Sequence, residues 1–255
     1  MFRHWWFLRL LKDKAPDEAS GKAAGSGDTL SKKERQELVL HEWETIRERL
    51  QRHAAERVAL VGDVMRAAEP RFPPGLAAGA AGADYLWAAE AYQAAGKLLD
   101  EAADLPDLAA AVVLADRAVE RLAAAHERLA GRRPKAPAVR CFYNPLHAAA
   151  AVPGPRSAAR KGKGAQRLSP RQAAADRRPA CEGCRLAILA GQTPDVLPAL
   201  LPRRRGWHRT ERVLVPYYAI PQQWSPWSVS ACGAYDDDAP ALVLRGGHRR
   251  PLADR

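Results

Sequence analysis

The sequence predicts a mainly α-helical fold, in which an antiparallel bundle of about three helices is followed by a small, irregular α+β domain. Apolar residues recur every three to four positions over most of residues 31–131, which is the spacing of one helix face. Proline and glycine interrupt this pattern at two places and divide it into three helices. After residue 132, short apolar runs alternate with Pro, Gly and basic residues, which favours short strands and helices among loops.

The first helix is predicted from Ser31 to about Ala68. Ser31 is followed three residues later by Glu34, which is the spacing of a capping box. Pro70 and the residues after it end the helix, because proline cannot continue the ladder of helix hydrogen bonds. The apolar face of this helix is predicted to contain Trp43, Ile46, Leu50, Ala54, Val58, Val61 and Met65.

Two further helices follow at short intervals. The second is predicted from about Ala83 to Ala103, and the third begins at Pro106 and ends at Gly131, positions that suit a helix start and a helix end. Short connections make neighbouring helices antiparallel, and small Ala and Gly residues let their axes approach closely. Helices of this kind often self-associate, so self-association is one expectation. The predicted apolar positions are Leu86, Ala89, Tyr92, Gly96 and Leu99 in the second helix, and Leu108, Val112, Ala115, Val119, Leu122 and Leu129 in the third.

Residues 1–30 form an aromatic and basic segment followed by a linker. Trp5 and Trp6 stand among Arg and Lys side chains, a mixture that suits the headgroup region of a membrane. Three alternatives follow: these rings dock on the core of the protein, contact an anionic membrane surface, or belong to an artefactual or disordered start of the chain. The pattern of a signal peptide is missing, and no run approaches the roughly 18–20 apolar residues of a membrane span. The expected location is therefore the cytoplasm, with peripheral contact at the inner membrane as a second expectation.

Charge divides the chain near residue 131. Residues 1–131 contain 18 Lys and Arg against 21 Asp and Glu, whereas the whole chain has a formal net charge of +11. The surplus of positive charge therefore lies entirely in the second part, where residues from about 150 to 178 are predicted to form a disordered basic loop. A basic surface attracts phosphate, whether on nucleic acid or on an anionic membrane.

Two pairs of metal-ligating residues lie on either side of that loop. Cys141 and His147 form C-x5-H, and Cys181 and Cys184 form C-x2-C. Two thiolates three residues apart can reach one tetrahedral ion, and the Asn-Pro turn inside the first pair brings its two ends together. Three Cys and one His are a standard closed set for structural zinc. We therefore predict a structural Zn²⁺ site in a zinc-ribbon-like domain spanning residues 132–250.

Alternatives to this zinc site remain open. The four Cys residues are too few for a disulfide framework, and they are plain reduced thiols if no metal binds. A redox-active C-x2-C is the weaker alternative, because the βαβ context of such motifs is missing. Cys232 or His208 is a substitute if one ligand is wrong, although Cys232 is better interpreted as a small buried residue. The acidic run 236–238 suits a solvated loop or a helix N-cap better than a cation site.

An aromatic and basic segment follows the second Cys pair. Its arginines Arg203, Arg204 and Arg205 adjoin Trp207, and aromatic rings among basic side chains can stack on single-stranded nucleic acid. Nucleic-acid binding is therefore an alternative function. The other interpretation assigns the aromatic rings to the core of the small domain. Further aromatic residues of this segment are Tyr217, Tyr218, Trp224 and Trp227.

The sequence does not indicate an enzyme. It contains no Ser-His-Asp order, no Gly-rich phosphate loop and no HExxH. A zinc ion with four protein ligands would also have no open position for substrate. The expected function is therefore non-catalytic binding, with the helices of residues 31–131 available to a protein partner.

Five short motifs carry a resemblance to a known group of proteins. The chain resembles the C-terminal cytoplasmic region of uncharacterised TPM-domain membrane proteins from high-GC bacteria, over residues from about 40 to 246. The resemblance implies a location on the cytoplasmic side of a membrane and implies no activity. This chain departs from the group because it lacks the TPM domain and the membrane helix, has Ala148 where Gly is expected, and has a longer basic insertion. The motifs are CFYNPLH (Cys141–His147), PACEGC (Pro179–Cys184), GQTPDVL (Gly191–Leu197), PYY (Pro216–Tyr218) and WSVSACGAYDDD (Trp227–Asp238).

Overall fold

The computed structural model describes residues 31–68, 79–147, 178–204 and 210–249. Several sequence predictions fall outside these ranges. They concern the N-terminal segment with Trp5 and Trp6, the basic loop from about 150 to 177, and the residues Arg205, Trp207 and His208. For Arg203 and Arg204 the backbone is described and the side chains are not.

Three long helices form the first part of the fold, as the sequence predicts. They are α1 (Lys32–Ala68), α2 (Ala80–Glu101) and α3 (Leu105–Leu129). The predicted capping box at the start of α1 is present: the Ser31 N–H donates to Glu34 Oε2 at 2.7 Å, and the Glu34 N–H donates to Ser31 Oγ at 3.3 Å. The predicted helix starts and ends agree with the structure to within a few residues.

Short elements form the second part. Helix α4 (Glu182–Leu189) is followed by an antiparallel pair of strands, β1 (Pro198–Arg204) and β2 (Thr210–Pro216), in which Leu200 lies opposite Leu214. A 3-10 turn, Tyr217–Ala219, leads to the short helices α5 (Trp227–Ser230) and α6 (Ala239–Leu244). The described residues therefore form a mainly α-helical fold with a small two-stranded sheet, which confirms the predicted fold class.

Helix α3 lies at the centre of the fold. Its residues 105–115 are all buried, because α1, α2, β1 and α5 all pack against this helix. Alanines in α2 and α3 permit this close packing, because a methyl side chain is small enough for the helix axes to approach each other closely. The fully buried alanines of the pair are Ala88, Ala91, Ala94, Ala95, Ala109, Ala110, Ala111, Ala115, Ala118 and Ala125.

The core of the bundle extends into the second part of the chain. Leu197, Ala199, Tyr217, Trp227 and Val243 are buried in the same cluster as the leucines and alanines of α2 and α3. Burying this apolar surface stabilises the contact between the two parts, at about 25 cal/mol for each Å² removed from water. The short elements therefore form on a surface that the helices provide.

Two buried carboxyl groups at the start of α3 connect the parts by hydrogen bonds. Asp104, the N-cap residue, accepts from the Trp43 indole at 2.9 Å, from the Leu105 N–H at 2.8 Å and from the Leu200 N–H at 2.8 Å. Asp107 accepts from the Trp227 indole at 2.7 Å. Asp104 thus connects α1 and β1 to α3, and Asp107 connects α5 to α3.

A left-handed turn follows α5. Ala231, Cys232 and Gly233 have φ values of 50°, 56° and 82°, a region in which residues other than glycine are strained. The turn lies tightly against the core. A Cβ added at Gly233 would lie 3.1 Å from the Ala239 Cβ and 3.4 Å from Leu114 Cδ2.

Gly233→Ala is therefore expected to lower the free energy of unfolding by about 2–4 kcal/mol, because backbone strain and crowding in the core add together. Gly191→Ala is the matched control. Gly191 also has a positive φ of 70°, but no atom lies within 4 Å of an added Cβ, so only about 1–2 kcal/mol of strain is expected. Urea denaturation of both variants measures the difference, and equal losses would show that the crowding at Gly233 is unimportant.

Candidate metal centre

The first ligand pair lies on a tight turn at Asn144-Pro145. The Asn144 side chain accepts from the Leu146 N–H at 3.2 Å, and the Asn144 carbonyl accepts from the His147 N–H at 3.0 Å. Asparagine favours such a turn because its side chain replaces a backbone acceptor two residues away. The turn reverses the chain between Cys141 and His147, so both side chains face the same point, as the sequence predicts.

The second pair lies at the start of α4. Cys181 is the N-cap residue, and its sulfur accepts from the Cys184 N–H at 3.5 Å. One helical turn then places Cys184 beside Cys181. The start of α4 therefore places the two thiol groups side by side, as the C-x2-C spacing predicts.

Backbone hydrogen bonds hold the two pairs against each other. The Phe142 N–H donates to the Pro179 carbonyl at 2.7 Å, and the Leu197 N–H donates to the Tyr143 carbonyl at 3.1 Å. The hydroxyl of the buried Tyr217 donates to the Phe142 carbonyl. The segment that carries Cys141 thus lies between the segment before α4 and the segment before β1.

The four predicted ligand atoms form one cluster. The sulfurs of Cys141, Cys181 and Cys184 and a ring nitrogen of His147 all lie within 4.8 Å of one another. His147 Nδ1 lies 3.3 Å from the Cys181 sulfur and 3.5 Å from the Cys184 sulfur. A tetrahedral ion with bonds of about 2.3 Å to sulfur and 2.0 Å to nitrogen keeps its ligand atoms roughly 3.5–3.8 Å apart. The cluster can therefore hold a metal ion with little rearrangement.

The four predicted ligands differ in their exposure and in the pKa values of their thiol groups. Cys141 and Cys184 are buried, whereas Cys181 and His147 are partly exposed. The pKa of the Cys141 thiol is lowered by the hydrogen bond from Cys184 and further by bonds from His147 and the N–H groups of Cys181 and Asn144. The same contact with Cys141, together with burial, raises the pKa of Cys184. A bound cation would release the thiol protons, because only thiolates coordinate a metal ion.

Asp195 is a further residue of the site, and the sequence prediction missed it. Its Oδ2 lies 3.1 Å from His147 Nε2. This hydrogen bond is the main reason that the pKa of His147 is raised to about 10, with a second contribution from Cys141 and an opposing one from burial. Asp195 lies in the GQTPDVL motif, but no local spacing connects it to the Cys and His pairs.

An aromatic cluster borders the centre. Phe142 lies 5.3 Å from Tyr218 and 5.9 Å from Tyr143 between ring centroids. The Arg178 guanidinium lies 4.2 Å above the Phe142 ring, a distance typical of cation–π contacts. Phe142 and Tyr143 are buried in the same small cluster as Cys141 and Cys184, and Tyr218 packs against both this cluster and the main core.

The aromatic residues predicted near the arginines have different environments. Tyr217 and Trp227 are fully buried, as the core interpretation predicts, whereas Trp224 is exposed. The structure therefore assigns the first two to the core. Trp207 lies outside the described residues.

Among the described residues, the remaining sequence candidates are not part of the cluster. Cys232 is fully buried, which confirms its interpretation as a small core residue, and burial raises the pKa of its thiol. In the acidic run, the Asp237 carboxylate pairs with Arg117 and Arg121. Asp238 occupies the N-cap position of α6, but its side chain makes no capping hydrogen bond.

Comparison of the chain with protein-family models, with curated proteins and with solved structures gives no match. Within the described ranges, no helix combines the length and the apolar character that crossing a membrane requires.

Proposed function

We propose that the protein is a non-catalytic binding protein whose second part is stabilised by a structural zinc ion, bound by Cys141, His147, Cys181 and Cys184. The observation that carries the proposal is the clustering of these four ligand atoms within 4.8 Å. The two pairs come from segments far apart in the sequence, and they meet at one point.

The donor set favours zinc over other common ions. Thiolates and imidazole are soft and borderline ligands, whereas magnesium and calcium prefer oxygen. Four protein ligands complete a tetrahedral shell and leave no position for a water nucleophile, so the ion would have a structural role.

The position of the cluster supports this structural role. Cys141 and Cys184 are buried together with Phe142, Tyr143 and Val196 in a small apolar cluster distinct from the main core. A cluster of this size contributes little stability from burial alone. A bound ion would join the segment 141–147 to α4 and thereby supply the missing stability.

The distribution of charge bears on which class of partner the protein binds. The positive surplus of the chain lies after residue 131, which favours a phosphate-bearing partner. A protein partner on the helices, a second copy of the chain, an anionic membrane surface and single-stranded nucleic acid remain the four predicted classes. The zinc site would stabilise the part of the chain that carries the positive surplus.

Elemental analysis of the full-length protein, purified under reducing conditions without chelator, is expected to find about one zinc per chain, because three thiolates and one imidazole complete a single shell. Chelator treatment should remove the ion and lower the midpoint of thermal unfolding, and added Zn²⁺ should restore it. Folded, reduced protein that contains no zinc and takes none up would contradict the proposal.

A further inference from the structure

The two nitrogens of the His147 ring face different partners. Nδ1 lies 3.3 Å and 3.5 Å from the sulfurs of Cys181 and Cys184. Nε2 points away from the cluster and lies 3.1 Å from Asp195 Oδ2. The ring therefore has a metal side and a carboxylate side.

We propose that His147 binds the metal through Nδ1 and that Asp195 is a positioning residue that fixes this ring orientation. This inference rests on the proposed metal site. A neutral imidazole carries one proton, and an acceptor at Nε2 places the proton there and leaves the Nδ1 lone pair for the ion. A carboxylate on the far side of a ligating histidine also raises its basicity as a ligand.

The backbone around Asp195 holds its side chain in place. The neighbouring residues Val196 and Leu197 are buried, and Leu197 is bonded to the Tyr143 carbonyl at 3.1 Å. The Asp195 carbonyl lies 3.6 Å from the Cys184 sulfur. The main chain of Asp195 thus contacts one ligand-bearing segment, and that of Leu197, two residues later, is bonded to the other.

The Asp195 side chain itself is 62% exposed. Removing it therefore uncovers little buried surface and leaves the core intact. Its effect should appear in metal binding, where loss of an outer partner of a ligand typically costs about 10–100-fold in affinity.

The first test is the zinc affinity of the full-length protein, measured by competition with a chromophoric chelator. Asp195→Ala should bind zinc about 10–100-fold more weakly than the wild type, and Asp195→Asn should lie between them, because an amide oxygen still accepts the bond without the charge. Glu182→Ala is the matched control, since Glu182 is an exposed acid beside Cys181 in α4. It removes the same charge but no contact with His147, so its affinity should stay close to that of the wild type.

The second test determines which nitrogen of the His147 ring binds the metal and which carries the proton. In zinc-loaded protein with ¹⁵N-labelled histidine, the His147 spectrum should show a metal-bound Nδ1 and a protonated Nε2 whose hydrogen exchanges slowly. In Asp195→Ala that hydrogen should exchange faster, while circular dichroism of the zinc-saturated variant stays unchanged.

The outcomes separate the two proposals. A wild-type protein that binds no zinc would overturn the metal site and this inference with it. Zinc bound through Nε2, or equal affinity in the wild type and Asp195→Ala, would overturn only the role of Asp195.

Discussion

Cys184→Ser is expected to lower zinc affinity by more than about 100-fold, above the range for loss of an outer-shell partner. Cys184 is buried, and its sulfur lies 3.5 Å from His147 Nδ1. A serine hydroxyl is a hard and weakly acidic group, and it is a poor substitute for a thiolate on zinc.

The loss should also loosen the fold locally. Amide hydrogens of Phe142 and Leu197, which connect the ligand-bearing segments, should exchange faster in Cys184→Ser, whereas those in the middle of α3 should change less. Hydrogen exchange followed by mass spectrometry measures both regions in one experiment.

Cys232→Ser is the control for this variant. It places the same polar group at a fully buried cysteine outside the cluster. It should reduce stability but keep about one zinc per chain. Wild-type zinc affinity in Cys184→Ser would mean that Cys184 is not a ligand.

Asp104→Ala is expected to lower the free energy of unfolding by about 3–5 kcal/mol. The substitution leaves three donors without their acceptor: the Trp43 indole and the N–H groups of Leu105 and Leu200. A buried donor without a partner costs about 1–3 kcal/mol, and the N-cap of α3 is lost as well. Urea denaturation measures the change.

Asp100→Ala is the matched control for that prediction. Asp100 is an exposed acid near the end of α2, and its replacement should change the free energy of unfolding by less than about 0.5 kcal/mol. A similarly small change for Asp104→Ala would show that water replaces the carboxyl group at the three donors.

The helices could be predicted from local patterns. Ser31 and Glu34 define the start of α1, and Pro106 marks the first turn of α3. The ligand set was also predictable, because a C-x2-C and a nearby Cys and His have the chemistry of a single site even though residues 148–180 separate them. At each helix end and within each ligand pair, the pattern that allows the prediction spans only a few residues of sequence.

Other contacts could not be predicted because they join distant residues. Trp227 and Asp107 are 120 positions apart, and Trp43 and Asp104 are 61 apart. Asp195 lies 48 residues after His147, and no periodicity indicates that they meet. The sequence also did not predict that the short elements share the core of the helices, because that core forms only when α3 is covered from several sides.

The Phe142 N–H donates to the Pro179 carbonyl at 2.7 Å. This bond bears on how far the length of the chain between the two ligand pairs can change. The chain leaves the metal centre after His147 and re-enters it near Arg178, and the two ends are close because His147 Nδ1 lies 3.3 Å from the Cys181 sulfur. Doubling the length of chain between such points costs only about 0.6 kcal/mol of closure entropy. Insertions and deletions between the two ligand pairs should therefore be tolerated, and foreign sequences could be inserted there with zinc content as the check that the site still assembles.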